Sequence, residues 1–188
     1  MIRRLVAAAL MTSSLSGAAL AGACPVEPSK VSLNSGATIR VTAQEGDTLS
    51  YLQTVEATGQ TVEMTVHLGL VTLTAMRDGE GAVFDWKTPL PTAADLVPGA
   101  TFALEAMLAT PGILPPRPFT AEIEVVGLET VEVAGCSYEA LKVIVKNAEA
   151  GKPLGETVKW IHLPTLLTLK SEITEKGDTR VQEVTALE

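Results

Sequence analysis

The chain predicts an all-β antiparallel fold, and three observations carry that prediction. Past residue 36, polar and apolar residues alternate with period two over run after run, the rhythm of half-buried strands. Turn chemistry built on Gly, Asn and Asp separates most of these runs. No segment carries an apolar stripe at helical spacing over more than a turn or two. About ten strands at such short spacing fit one strongly curved sheet or an incompletely closed barrel, with a β-sandwich as the alternative.

Residues 1–23 stand apart from that domain. Ile2-Arg3-Arg4 is a basic start, and the apolar run Leu5-Val6-Ala7-Ala8-Ala9-Leu10-Met11 follows it. That run is shorter than the roughly 20 residues a membrane-spanning helix needs. Small residues at Ala19-Leu20-Ala21 or Ala21-Gly22-Ala23 supply a cleavage pattern for a signal peptidase. The expectation is a signal peptide over 1–23, an N-terminal extension over 24–36 and a single domain over 37–188. The mature chain then has no transmembrane segment and is periplasmic or secreted.

Export decides how the two cysteines are read. Cys24 and Cys136 are an even pair in an oxidising compartment, which predicts one disulfide tying the N-terminal extension to the domain. The alternative is a lipid anchor on Cys24. Ala21-Gly22-Ala23-Cys24 is close to a lipoprotein box, with Ala21 where leucine is usual, and acylation would leave Cys136 as a loose thiol.

The strands follow in order. Alternation predicts strands over 38–44 and 49–57, then a long run from 61 to 77. In that run Val62, Met64, Val66 and Leu68 share one face, opposite Thr61, Glu63, Thr65 and His67. The phase flips after Leu70, and Gly69 marks a bulge or tight bend there. Further strands read over 82–87, 101–108, 119–126, 130–133, 138–146, 157–162, 166–174 and 179–187. Asn34-Ser35-Gly36, Glu45-Gly46-Asp47, Thr58-Gly59, Asp78-Gly79, Ala134-Gly135 and Lys176-Gly177-Asp178 turn the chain between them. A turn or two of helix fits 91–96.

Two connections are stiffened by proline, 88–99 and 110–118, and both read as loops because proline cannot donate to a ladder. The second carries Ile113 and Leu114 at its tip. These two residues are the candidate ligand or partner loop, or a plug that folds back over the open end of an apolar interior.

Charge and composition exclude several functions. The formal net charge is −8, and the leader carries Arg3 and Arg4 without an acid, so the mature chain is more acidic still. Nucleic-acid affinity rests on Lys and Arg against phosphate, so no nucleic-acid partner is expected. Phe84, Phe102, Phe119, Trp86, Trp160, Tyr51 and Tyr138 are the whole aromatic set, too sparse for a base-stacking platform.

The motifs of catalysis are missing: no G-x-S-x-G, H-E-x-x-H, Walker loop, C-x-x-C or dinucleotide fingerprint occurs. His67 sits four strand residues from Glu63, roughly 13 Å away, too far to share a metal. His162 follows Trp160 on one strand face and reads as packing with one hydrogen bond. Pairs such as Glu122 and Glu124, or Glu129 and Glu132, alternate with apolar residues as a solvated face does. No catalytic, metal or cofactor site is expected, and the chain reads as a non-enzyme.

The stretches 131–143 (Val-Glu-Val-Ala-Gly-Cys-Ser-Tyr-Glu-Ala-Leu-Lys-Val) and 156–164 (Glu-Thr-Val-Lys-Trp-Ile-His-Leu-Pro), followed by Leu169-Lys170-Ser171-Glu172, form a strand, a Gly turn, a strand ending in Lys-Val, a Trp strand running to Pro and a Lys-bearing return. That order resembles the closing hairpins of a family of exported bacterial β-proteins of unassigned function, over the C-terminal third of the chain. In architecture such proteins are broadly similar to periplasmic lipoprotein carriers and other half-barrel binders. The resemblance implies an antiparallel meander and no catalytic residues. The expectation is therefore a periplasmic binding module for an apolar ligand such as a lipid or acyl chain, with Met64, Met76 and Met107 as adaptable lining. The alternative is a structural or interaction protein of the cell envelope with a filled core.

Overall fold

A computed structural model describes residues 24–110 and 112–188, without the side chains of Ile113 and Leu114. The leader expected over 1–23 lies outside the described residues. Twelve strands follow one another: β1 (Lys30–Leu33), β2 (Ala37–Glu45), β3 (Thr48–Val55), β4 (Gln60–His67), β5 (Val71–Arg77), β6 (Glu80–Trp86), β7 (Thr101–Thr110), β8 (Ile113–Val133), β9 (Cys136–Glu149), β10 (Lys152–His162), β11 (Leu167–Glu175) and β12 (Asp178–Leu187). A single 3-10 turn, Ala93–Asp95, interrupts the β6–β7 connection.

Each strand pairs antiparallel with the next, and β1 also pairs with β12, so the sheet closes on itself. This corrects the expectation of about ten strands in an incompletely closed barrel, and the sandwich alternative with it. The physical reason lies in β1. Its four residues fall inside the segment read as an extension and are too few to display an alternation. They nevertheless supply the pairing that both remaining edges lack: Val31 faces Leu187 on one side and Ile39 on the other. Glu188 accepts from the Ser29 and Lys30 amides and donates to the Lys30 carbonyl, which extends the seam by one residue.

Two further expectations change. The run 61–77 is two strands, split by Leu68-Gly69-Leu70, which turns inward instead of continuing round the barrel. The loop expected over 110–118 is mostly strand. Pro118 pairs with Met107 and Arg117 with Leu108, and Leu114, Pro115 and Pro116 bulge opposite Ala109. Prolines are tolerated there because β9 pairs with β8 only from Phe119 onward, which leaves the other side of this stretch without ladder partners. Ile113 and Leu114 open β8 in the tip of that hairpin; their side chains lie outside the described residues.

Gly69 shows what the inward turn demands. Leu68 and Gly69 have φ of 51° and 66°, and the Leu70 amide donates to the His67 carbonyl at 2.9 Å, the geometry of a tight hairpin turn with both central residues left-handed. A Cβ on Gly69 would lie 2.7 Å from the Leu166 carbonyl oxygen and 3.0 Å from Ile161 Cγ2. Leu68 and Leu70 are buried there together with Ile161, Leu166 and Leu167, and they close one end of the barrel. Leu96, from the β6–β7 connection, joins the same core.

Cys24 is bonded to Cys136, with 5.7 Å between their Cα atoms, and the Tyr138 hydroxyl donates to the Pro25 carbonyl at 3.0 Å. The segment entering β1 is thus fastened to the β8–β9 tip. The bridge spans a sequence separation of 112 residues. Replacing Cys136 with Ser should lower the unfolding free energy by about 2–4 kcal/mol, measured as an earlier urea midpoint against the oxidised wild type. Gly69→Ala should cost about 2–3 kcal/mol through contact and backbone strain. Gly59→Ala, with nothing within 4 Å of its Cβ, should cost about 1 kcal/mol; equal midpoints for the two variants would contradict the role given to the inward turn.

Candidate functional site

A barrel of twelve strands encloses more space than its inward side chains fill, since the diameter grows with strand number. One half of this interior is filled by aromatics. Phe84 meets Phe119 edge to face at 4.9 Å, Trp86 meets Phe119 at 6.0 Å, and the Trp86 indole donates to the Thr72 carbonyl at 3.0 Å. Ala106 faces Phe119 across the β7–β8 pair and is itself buried, which gives the ring its room.

The other half is a chamber of about 310 Å³. Leu49, Leu166 and Leu167 line it near the closed end. The half-buried Gln53, Ile173 and Gln182 line it toward the end that carries the β3–β4 and β11–β12 turns, where it meets solvent. Its wall is mixed. Ile39, Met64 and Val66 form an apolar side, and Tyr51, Gln53, Asn147, Thr157, Lys159 and Ser171 add polar groups. A smaller space of about 70 Å³, between the aromatics and Lys159, adjoins it and shares Thr72 and Asn147 as lining.

Lys159 is the centre of this arrangement. It lies on β10 opposite Val143 on β9 and Ser171 on β11, in the phase that points inward. Its Nζ donates to the carbonyl oxygens of Gly69 at 3.0 Å and Leu70 at 2.7 Å. The inward turn leaves those carbonyls outside any ladder, and an unpaired buried carbonyl is costly. An ammonium has three donors, so one remains. Among the described residues no carboxylate stands within 4.0 Å of it. Burial holds the Lys159 amine down at about 8 and pushes the Tyr51 phenol up to about 12, because both charged forms lose solvation.

Tyr51, Gln53, Asn147, Thr157 and Ser171 make no side-chain hydrogen bond to another described residue, and among the described residues no fully buried side-chain nitrogen or oxygen is left unsatisfied. Their polar atoms therefore face the chamber space itself. The sequence missed all of this. In 157–161 the apolar residues Val158 and Trp160 mark the phase that looks inward, yet it is Thr157, Lys159 and Ile161 that point in.

Trp160 instead lies on the outer face and is buried there. Lys142 and Lys170 cover its ring at 5.0 and 4.8 Å, and its indole donates to Glu129 Oε2 at 2.7 Å. The indole N–H and then the Lys142 ammonium hold the Glu129 carboxyl below the usual carboxylate range. His162 pairs with Tyr138, ring to ring at 5.3 Å, and shares a hydrogen bond of 2.8 Å with the Thr165 hydroxyl; burial holds its pKa below the ordinary value. His67 Nε2 lies 2.7 Å from the Pro91 carbonyl and pins the β6–β7 connection. The two histidines thus end separate strands, and among the described residues no group of three or more His, Cys, Asp or Glu could hold a metal.

Fold and chamber together define the class: an up-and-down antiparallel β-barrel of twelve strands with a partly filled interior. No family model matches the chain, and no curated protein matches it. Among the solved structures that share its fold are two lipoproteins. The hypothetical lipoprotein YmcC from Escherichia coli (K12) is 14% identical, with a TM-score of 0.51 over 85% of this chain and 82% of its own. A candidate lipoprotein from Parabacteroides distasonis is 12% identical, with a TM-score of 0.52 over 86% of this chain and 95% of its own. At these identities the likeness is one of fold.

The depressed Lys159 pKa has a pH signature. The unfolded chain holds that proton up to about 10.5 and the folded chain releases it near 8. Between those values the unfolded state binds more protons, so stability rises with pH. The gain should reach about 3 kcal/mol across the window and be absent from Lys159→Met; urea titrations of both proteins at pH 7.5 and pH 10 measure it.

Proposed function

We propose that this chain is an exported β-barrel of the bacterial cell envelope that holds a small ligand in its interior and performs no catalysis on it. The observation that carries the reading is the chamber: about 310 Å³, at the low end of the roughly 300–1,000 Å³ of small-molecule pockets, with polar side chains facing it that no other described residue engages. Of the lipids or acyl chains expected from the sequence, its size and mixed wall favour a compact molecule with polar and apolar parts over a two-chain lipid.

The envelope location draws on separate support. The leader pattern at 1–23 and the Cys24–Cys136 bridge suit an oxidising compartment. Both fold neighbours named above are described as lipoproteins. With Cys24 engaged in the bridge, the same sulfur is not free for acylation, which supports a released form over the lipid anchor on Cys24. The two histidines are hydrogen-bonded at strand ends, and neither a histidine nor a carboxylate is among the residues that line the chamber.

A second reading, an interaction protein working through its outer surface, draws on the exposed Val97, Val126 and Leu128. Val126 and Leu128 lie at the β8 bulge, where Gly99 donates to the Val125 carbonyl and brings the β6–β7 connection alongside.

Filling the chamber separates the two. Wild-type protein should saturate with the neutral probe N-phenyl-1-naphthylamine, and Ile173→Trp should weaken that binding at least tenfold with an unchanged far-ultraviolet circular dichroism spectrum. Equal binding by the filled variant, or no saturation by the wild type, would leave the surface reading.

A further inference from the structure

Resting on the chamber reading above, we infer that the ligand is a compact carboxylate with a short apolar tail, its anionic head held by the free donor of Lys159. The argument starts from charge. Lys159 is the one charged residue among those that line the chamber or the adjoining space. Two of its three donors are committed to the Gly69 and Leu70 carbonyls, which fixes the ammonium in place before any ligand arrives. Preorganised charge in a poorly solvated site interacts more strongly than the same charge in water. Removing one buried charge from water is expensive when nothing opposite compensates it, and among the described residues no carboxylate does so.

The rest of the wall fits a carboxylate amphiphile. Tyr51 and Ser171 bring hydroxyl donors to the chamber, and Asn147 brings an amide. The Tyr51 phenol stays protonated, with its pKa pushed up to about 12, and so donates to an anion instead of repelling it. Met64, Val66 and Ile173 offer an apolar surface for a tail. A two-chain lipid exceeds the volume, and a cation would face Lys159.

The pH behaviour follows from the same groups. Val143 and Asn147 from β9, Ser171 from β11, Thr72 from β5 and the backbone of 68–70 surround Lys159 without a titratable side chain. Tyr51 from β3 is the other titratable group of the chamber. Anion affinity should therefore follow Lys159 alone and fall as pH rises through about 8.

The experiment is isothermal titration of the oxidised protein with octanoate and with the isosteric neutral octanamide. At pH 7 octanoate should bind at least tenfold more tightly, and its affinity should fall about tenfold by pH 9 with octanamide unchanged. In Lys159→Gln, which keeps an amide donor but loses the charge, the octanoate preference over octanamide should vanish. Should that variant fail to fold, the wild-type pair of ligands and the pH series decide alone. Equal affinities and no pH dependence would overturn the carboxylate inference while leaving the chamber as a binding site. No binding of either ligand would overturn both.

Discussion

The interior exists because β1 closes the sheet. Without Lys30–Leu33, β2 and β12 would each present a row of unpaired backbone groups, and an exposed edge invites pairing with another chain. Four residues are a short seam, so it is reinforced on both sides. Lys30 pairs with Glu188 through backbone and side chain. The segment just before it is fixed at Cys24 to Cys136 and at Pro25 to Tyr138. The disulfide thus acts on the one step of the topology with the largest sequence separation, where loop-closure entropy opposes pairing most. Closure, the sealed lower end and the enclosed chamber depend on that step in turn.

Within the closed wall, two ways of managing excess volume divide the space. Phe84, Trp86 and Phe119 fill one side with rings in edge-to-face contact, against small neighbours such as Ala106 and Ala121. On the other side the inward turn at 68–70 seals the end but carries two carbonyls into the interior, and Lys159 satisfies both. That solution costs desolvation of an ammonium, visible in its lowered pKa. A neutral donor could have met the same carbonyls without that penalty. Buried charges are weak stabilisers, and the charge retained here stands at the wall of a space lined by otherwise unengaged polar groups.

The strand rhythm was legible because alternation survives wherever one face is buried and the other is wet. From 38 onward most predicted strands coincide with observed ones to within a few residues, except that 61–77 is two strands and that 119–126 and 130–133 belong to the single strand β8; Asp78-Gly79, Ala134-Gly135 and Lys176-Gly177 are turns as expected. The site was not legible, because its signal runs against the rule. At Val158-Lys159-Trp160 the apolar residues face out and the lysine faces in. Trp160 is buried on the outside by the stems of Lys142 and Lys170 and by the indole bond to Glu129. Long charged side chains can cover apolar surface in this way, and local pattern cannot reveal it. The methionine signal was partial: Met64 lines the chamber, whereas Met107 lies on the outward phase opposite Asp85.

From the sequence alone came the all-β class, the positions of most strands and turns, the disulfide as the favoured reading of the two cysteines and the want of a catalytic motif. Each depends on neighbours along the chain or on composition. Tertiary structure decided the closure through β1, the inward path of 68–70, the direction of Lys159 and the volume left beside the aromatic cluster. Those depend on which strands meet across the sheet and on how many side chains share one interior, quantities that arise only when residues far apart in the chain are brought together.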